Sequence, residues 1–279
     1  MTRRLIVNAD DYGLSEELSR GVLAAHDRGV VTGTSVLAVG PAVGTAAGWL
    51  RDRPALDVGA HLALVGEDPP LLSPREVPTL VDRRGRFPLR WRAFLLAAVT
   101  GRVDPADVRR EFAAQLDRLT RDLRLTLTHV DTHQHLHLFP PVGRIVTDLA
   151  VERGIPAVRL PTSAARGPQG AWIRHWSRAL AGRLRAAGLA FPAAYGGLDE
   201  AGGLTLDRAR ELVTRLAAGP APVIEINCHP GTPSAADRAR YAWGYRWEEE
   251  LDALTNPALR AEVADLGLTL SGWRALTAR

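Results

Sequence analysis

Residues 4–15 read RLIVNADDYGLS. RLIVNA (4–9) is a largely apolar run suited to a strand buried on both faces. DDYG then breaks it. Ser15 reads as a helix N-cap, with Glu16 and Glu17 in the first turn, where the helix dipole favours negative charge. A strand that feeds directly into a helix is half of a β-α unit, and the same alternation continues outward along the chain. Strands are expected at 32–39, 56–64, 128–135, 157–161, 190–197 and 222–230. Helices are expected to about residue 29, over 41–52, 90–100, 104–124, 141–153, within 163–190 and over 204–218. Asp104 caps the 104–124 helix, with Pro105 at its first position. The tail should hold one more helix and LTLSG (268–272). Residues 65–89 form the longest irregular stretch, and a loop of that length in a compact domain is usually functional or mobile.

The chain has 279 residues with no internal repeat, low-complexity linker or clear boundary, so a single domain over 1–279 is expected. Repeated β-α units imply parallel strands with right-handed crossovers. The simplest closed form is an α/β fold of the (β/α) barrel-like, distorted TIM type. An open doubly wound sheet is the alternative. No G-x-G-x-x-G follows the first strand, so a dinucleotide site is unsupported.

Composition removes other classes. Apolar residues make up 46% of the chain and charged residues 24%, enough for a full core. No run of 18 apolar residues appears, so no membrane span is expected. MTRRLIVNADDYG reads as a first strand, not a signal peptide. Cys228 is the only cysteine, so a cytoplasmic protein without a disulfide framework is expected. All 35 basic residues are arginine, which excludes Schiff-base lysine chemistry and a phosphate-loop lysine. The net charge of +4 is mild, and acids are interspersed with arginines in ADVRREF and DRARE. These read as solvated helix faces, and no nucleic-acid partner is expected.

In parallel α/β folds, functional groups gather at the C-terminal ends of strands. Asn8, Asp10 and Asp11 end the first strand, and His61 lies near the end of the third. HVDTHQHLH (129–137) ends the fourth, and Glu225, Asn227, Cys228 and His229 end the last. Strand alternation puts His129, Asp131, His133, His135 and His137 on one face and Val130, Thr132, Gln134 and Leu136 on the other. A polar barrel interior is the plainer reading of that face. Burying five ionisable groups without partners or a metal is costly, which favours a metal or catalytic role for at least one. Same-face residues advance about 6.6 Å per step, so only one or two can bind the same ion. Asp10 and Asp11 can divide labour, one at a metal and one as base, although DDYG also reads as a turn. A carboxylate with two imidazoles, such as His61 and His133, is a common facial set for a divalent ion. Cys228 reads as a buried inert thiol rather than a nucleophile, and no G-x-S-x-G is present.

Together IVNADDYGLS (6–15), GAHLAL (59–64), THVDTHQHLHLFP (128–140) and EINCHPG (225–231) resemble the YdjC-like, or ChbG-type chitooligosaccharide, carbohydrate deacetylase family. The resemblance implies a barrel-like deacetylase fold, one divalent ion (magnesium or zinc) and hydrolysis of an N-acetyl group from an acetylated amino sugar. It implies Asp11, His61 and His133 as metal ligands, Asp10 as the base and His229 as the acid that protonates the leaving amine. Tyr12 stands where the family often has Phe. Gln134 replaces a histidine at a position that alternation points away from the cluster. Tyr12, His135 and Arg159 are candidates for substrate binding, Arg159 by contacting the sugar or by orienting an acid. The segment GEDPPLLSPREVPTLVDRRGRF resembles a branch associated with hopanoid biosynthesis, so the substrate is expected to be an oligosaccharide or a glycolipid such as an N-acetylglucosaminyl hopanoid. The stretch WIRHWSRALAGRLR (172–185) is then a candidate for peripheral membrane contact, with an ordinary docking helix favoured. A homodimer is compatible with the chain. A metal-dependent phosphoesterase on a similar barrel and a non-catalytic sugar- or lipid-binding protein are the rival functions. The substrate-selecting pocket is expected in loops such as 65–89 and 163–200.

Overall fold

The structure, a computed structural model, describes residues 3–277. The first half contains β1 (Arg3–Tyr12), α1 (Glu16–Asp27), β2 (Gly33–Val36), α2 (Val43–Trp49), β3 (Asp57–Leu62), α3 (Trp91–Val99), α4 (Pro105–Asp117) and β4 (His129–Thr132). The second half contains α5 (Pro140–Glu152), α6 (Pro168–Ala186), β5 (Ala194–Gly196), α7 (Leu206–Ala217), β6 (Val223–Cys228), α8 (Ala235–Arg240), α9 (Trp247–Thr255), α10 (Pro257–Asp265) and β7 (Leu268–Leu270). The expected caps are present. Ser15 accepts from the Leu18 amide at the start of α1, and Asp104 accepts from the Ala106 amide ahead of Pro105.

Every strand pairing is parallel, in the order β4-β3-β2-β1-β6-β5, with β7 against residues 3–5 of β1. The ring closes between β4 and β5 through isolated bridges, Val130 to Val158 and Ala157 to Ala190. There the Val130 amide donates to Ala157 O (3.0 Å) and the Val158 amide to Ala190 O (2.9 Å). The result is a curled, distorted (β/α) barrel, not an open doubly wound sheet.

Three expected elements differ. AVRLP (157–161) forms bridges instead of a fifth strand, because Pro156 and Pro161 flank it and proline gives no amide to a ladder. The fourth strand stops at Thr132 and becomes a 3-10 turn over His133–Leu138. The tail carries three helices, α8 to α10, where one was expected.

Alternation along β1 separates two cores. Leu5, Val7 and Ala9 join the large apolar cluster between sheet and helices. Asn8 and Asp10 point into the barrel, where Ser35, His61, His129, Asp131, Arg159, Glu225 and Asn227 are also buried. The interior is therefore polar and hydrogen-bonded. Below it Ile6, Ala157 and Trp273 form a small apolar plug. The Trp273 ring stacks on His129 at 4.0 Å, and its indole N–H donates to Asn8 Oδ1 (3.0 Å).

The 65–89 segment is tied down despite its irregular backbone. Glu111 accepts the Leu71 and Leu72 amides (2.9 and 3.1 Å), and Asp107 Oδ2 accepts both the amide and the hydroxyl of Thr79 (2.9 and 2.7 Å).

Trp273→Ala should open a cavity beneath the polar interior and free Asn8 Oδ1. We expect a loss of about 3–5 kcal/mol, read as a fall in the urea midpoint followed by circular dichroism.

Candidate active site

The site forms where two strand ends leave regular geometry. β1 and β2 shift register between Ala9 and Tyr12, and Asp11 sits at φ 64°. In an unbroken strand Asp10 and Asp11 would face opposite sides. The bulge brings both to one cavity of about 590 Å³. At the end of β4, Gln134 and His135 have φ of 52° and 54°. Left-handed backbone at non-glycine residues costs on the order of 1 kcal/mol or more and persists where its surroundings demand it. Asp11, Gln134 and His135 are three of the four such residues described, and all three line the cavity.

This overturns the alternation expected over 133–137. His133, Gln134, His135 and Leu136 all reach the cavity, Gln134 included, because the chain turns at Thr132. Gln134 also binds back to the polypeptide, accepting the Trp91 amide (2.8 Å). His129 lies below, bonded to Ser35 and Thr128, and burial drives its imidazole pKa down to about 3. His137 contacts Thr132 Oγ1 (2.8 Å) and Arg159 O (3.1 Å), with burial lowering it to about 4. Both serve the polar interior.

Asp11, His61 and His133 each bring a donor atom within 4.8 Å of the others. Asp11 Oδ1 is 3.3 Å from His61 Nε2 and 3.1 Å from His133 Nδ1. Asp131 is bonded to His61 Nδ1, which directs Nε2 toward Asp11. Burial opposes charge on His61, yet Asp131 and Asp11 outweigh it and raise its pKa to about 10. Burial likewise opposes the Asp11 carboxylate, and His133 and His61 still hold it well below the usual range. One carboxylate and two imidazoles beside a cavity fit a divalent ion with open positions. A second cluster, Asp10, His61 and Asp131, shares His61 with the first. The Arg159 guanidinium already occupies the space beside its two acids, 2.7 Å from Asp10 and 3.0 Å from Asp131, and would repel a second cation there. A two-ion phosphoesterase centre is therefore disfavoured.

Asp10 is held from three sides. Arg159 NH1 and NH2 grip its two oxygens at 2.7 Å each, Asn8 Nδ2 donates at 2.9 Å and Asn227 Nδ2 at 3.2 Å. Arg159 Nε donates to Glu225 Oε1 (2.6 Å), while Glu225 Oε2 is buried without a partner. Burial lifts the Glu225 carboxyl to about 8 against the pull of Arg159. His229 lies on the cavity with its amide donating to Glu250 Oε2 (2.6 Å) and its ring edge-on to Tyr245.

Six of the eight expected site residues line the cavity: Asp10, Asp11, His61, His133, His135 and His229. Tyr12 and Arg159 do not. Tyr12 follows the bulge and points outward, its hydroxyl donating to Ala46 O (2.7 Å). Arg159 is fully buried among carboxylates, its guanidinium turned to Asp10 and away from the cavity. Cys228 is buried, bonded to Asn8 O, and burial raises its thiol well above the ordinary value.

Several residues escaped the sequence reading. Tyr195 donates to Asn227 Oδ1 (2.5 Å) and meets His135 Nε2 (3.2 Å). Trp243, Tyr245, Trp91 and Leu95 add walls, beside Trp172 and Trp176 of the stretch already singled out as a docking or membrane-contact helix. The aromatic density of YAWGYRW (241–247) was the available signal. The cavity takes lining residues from 163–200, as expected, but none from 65–89, whose place is taken by Arg90, Trp91 and Leu95.

A family profile described as YdjC-like protein matches residues 4–265. A carbohydrate deacetylase of Geobacillus stearothermophilus is 37% identical, covering 98% of both chains. A chitooligosaccharide deacetylase of Klebsiella pneumoniae (strain 342) is 34% identical, over 98% of this chain and 99% of its own. A crystal structure from Enterococcus faecalis V583, described as a cellobiose-phosphate cleavage protein, superposes with a TM-score of 0.82 at 23% identity, covering 99% of each chain. That likeness establishes the fold.

Elemental mass spectrometry should find about one divalent ion per chain, lost in Asp11→Ala, His61→Ala and His133→Ala. Glu225 has a second signature. Its folded pKa lies above its ordinary 4.5, so its contribution to stability is full below that value and is lost as pH rises through about 8. Glu225→Gln keeps an acceptor for Arg159 and should flatten the fall in urea midpoint across that window.

Proposed function

The chain belongs to the YdjC-like protein family, and from that premise we propose that it is a metal-dependent carbohydrate deacetylase that hydrolyses the N-acetyl group of an acetylated amino sugar. The observation that carries this reading is a metal-type donor set, Asp11, His61 and His133, beside an arginine-anchored carboxylate, Asp10, on one cavity. The relatives named carbohydrate and chitooligosaccharide deacetylase support it.

Asp11, His61 and His133 would hold the ion. When bound, a divalent ion supplies Lewis acidity to an acetamide carbonyl and makes a nearby water more acidic. Two imidazole donors suit zinc better than magnesium, which prefers oxygen ligands. Asp10 accepts the proton of the attacking water, and Arg159, Asn8 and Asn227 hold its oxygens in place for that transfer. His229, on the cavity wall, donates a proton to the departing amine. Tyr195 and Asn227 orient His135, which lines the space for the sugar.

Substrate choice follows the walls. Trp91, Leu95, Phe139, Trp172 and Trp176 offer apolar surface next to the polar centre. Such walls suit an amino sugar with an apolar aglycone, an N-acetylglucosaminyl hopanoid among them, as well as stacking against an oligosaccharide. We assign the whole chain to one catalytic domain working in the cytoplasm. No described helix is long and apolar enough to cross a membrane.

Acetate release should be measured on a panel of N-acetylated sugars and glycolipids. We expect activity that is abolished by a chelator and restored by zinc. Asp10→Asn should lower kcat by about 10²–10⁴-fold with metal content intact. Undiminished turnover after complete metal removal would overturn the reading, as would phosphate-ester hydrolysis in place of acetate release.

A further inference from the structure

Five large apolar side chains are exposed among the described residues: Leu89, Leu96, Val99, Val151 and Trp172. Four of them fall in two segments, 83–103 and 160–198. These carry α3 and α6, and both helices line the cavity, through Trp91 and Leu95 on one and Trp172, Ile173 and Trp176 on the other. The same two segments contain no Asp or Glu, although the chain has 31. They hold six and five arginines respectively. Many arginines elsewhere are paired, as in Arg20 with Glu16, Arg109 with Glu152 and Arg210 with Glu262. Here Arg83, Arg84, Arg90, Arg92, Arg166 and Arg178 are exposed, and none has a described carboxylate within 4.0 Å. On α3, only Phe94 is fully buried. Arg92, Leu96 and Val99 follow the i, i+4, i+7 spacing of one helical stripe, with the cation next to the apolar residues.

Exposed Leu, Val and Trp among mostly unpaired arginines, in two segments that carry no acid of their own, is the chemistry of an interfacial membrane contact: apolar side chains enter the headgroup boundary and guanidinium groups meet lipid phosphates. A polyanion such as nucleic acid would use the arginines and leave Leu96 and Val99 without a role. A symmetric second copy would set these arginine-rich segments, which carry no acid of their own, against each other. We propose that this face docks on an anionic lipid bilayer. Leu89, Leu96, Val99 and Trp172 enter the interface, and the cavity, lined by the same two helices, draws its substrate from the membrane surface. The docking itself does not rest on the acetyl chemistry.

The test uses the purified full chain with vesicles of phosphatidylcholine alone and of phosphatidylcholine with phosphatidylglycerol, read by co-sedimentation. We expect binding to the anionic vesicles only, weakened by salt. Leu96→Ser with Val99→Ser, neither of which lines the cavity, should weaken binding by at least about tenfold with an unchanged circular dichroism spectrum. Arg83→Ser with Arg84→Ser should weaken it too. No binding to anionic vesicles would overturn the proposal. So would equal binding by the wild type and the Leu96/Val99 variant, which would mark a polyanion site. A dimer in analytical ultracentrifugation that the Leu96/Val99 variant dissolves would assign the face to a second copy and overturn it as well. Acetate release from a soluble N-acetylated sugar by the same variants should be unchanged, so failure of docking and failure of the deacetylase reading separate cleanly.

Discussion

One buried guanidinium organises the interior. Arg159 has no exposed surface and bonds to Asp10 from β1 and Glu225 from β6, with Asp131 from β4 at 3.0 Å. Three strands thus direct carboxylates at a cation carried by a segment too short and too proline-bounded to be a strand. Removing a charge from water costs several kcal/mol, and only close partners offset it. One arginine cannot balance three carboxylates, so burial leaves the last of them, Glu225, protonated up to about pH 8. The barrel closes here through isolated bridges, and the ion cluster adds side-chain contacts that hold the fifth segment against its neighbours.

That cluster decides how the two aspartates differ. Asp10 is saturated by Arg159, Asn8 and Asn227 and keeps one orientation. Asp11, one residue later and turned by the bulge, meets only imidazoles. Adjacent carboxylates therefore have different cationic partners, one a fixed guanidinium and the other a pair of imidazoles able to share a metal ion with it. Asp131 links the two centres, touching both Arg159 and His61. The strain at Asp11, Gln134 and His135 is confined to this junction, and the strand ends bend there to bring donors from β1, β3 and β4 to one point.

The cavity above joins a polar floor to apolar walls. The floor comes from strand ends, whose side chains a closed sheet holds rigidly. The walls come from α3, α6 and the aromatic stretch after β6, elements whose positions no local pattern specifies.

The sequence alone determined the parallel β-α order, the caps at Ser15 and Asp104, and the strand ends at which acids and histidines collect. These are short-range properties, set by apolar runs, period and capping chemistry over a few residues. Six of the eight expected site residues line the cavity for the same reason: strand ends deliver their side chains to one edge. The tertiary structure decided the rest. Alternation assigned His133 to one face and Gln134 to the other, but a regular strand ends at Thr132, where left-handed backbone replaces it. Arg159 read equally as a sugar contact or as the holder of an acid, and three distant carboxylates enclose it in the structure. Tyr12 left the site when the bulge turned it toward Ala46. In each case the deciding partner lies far along the chain, and the energy of burying charge, which no local window contains, overrides the local preference.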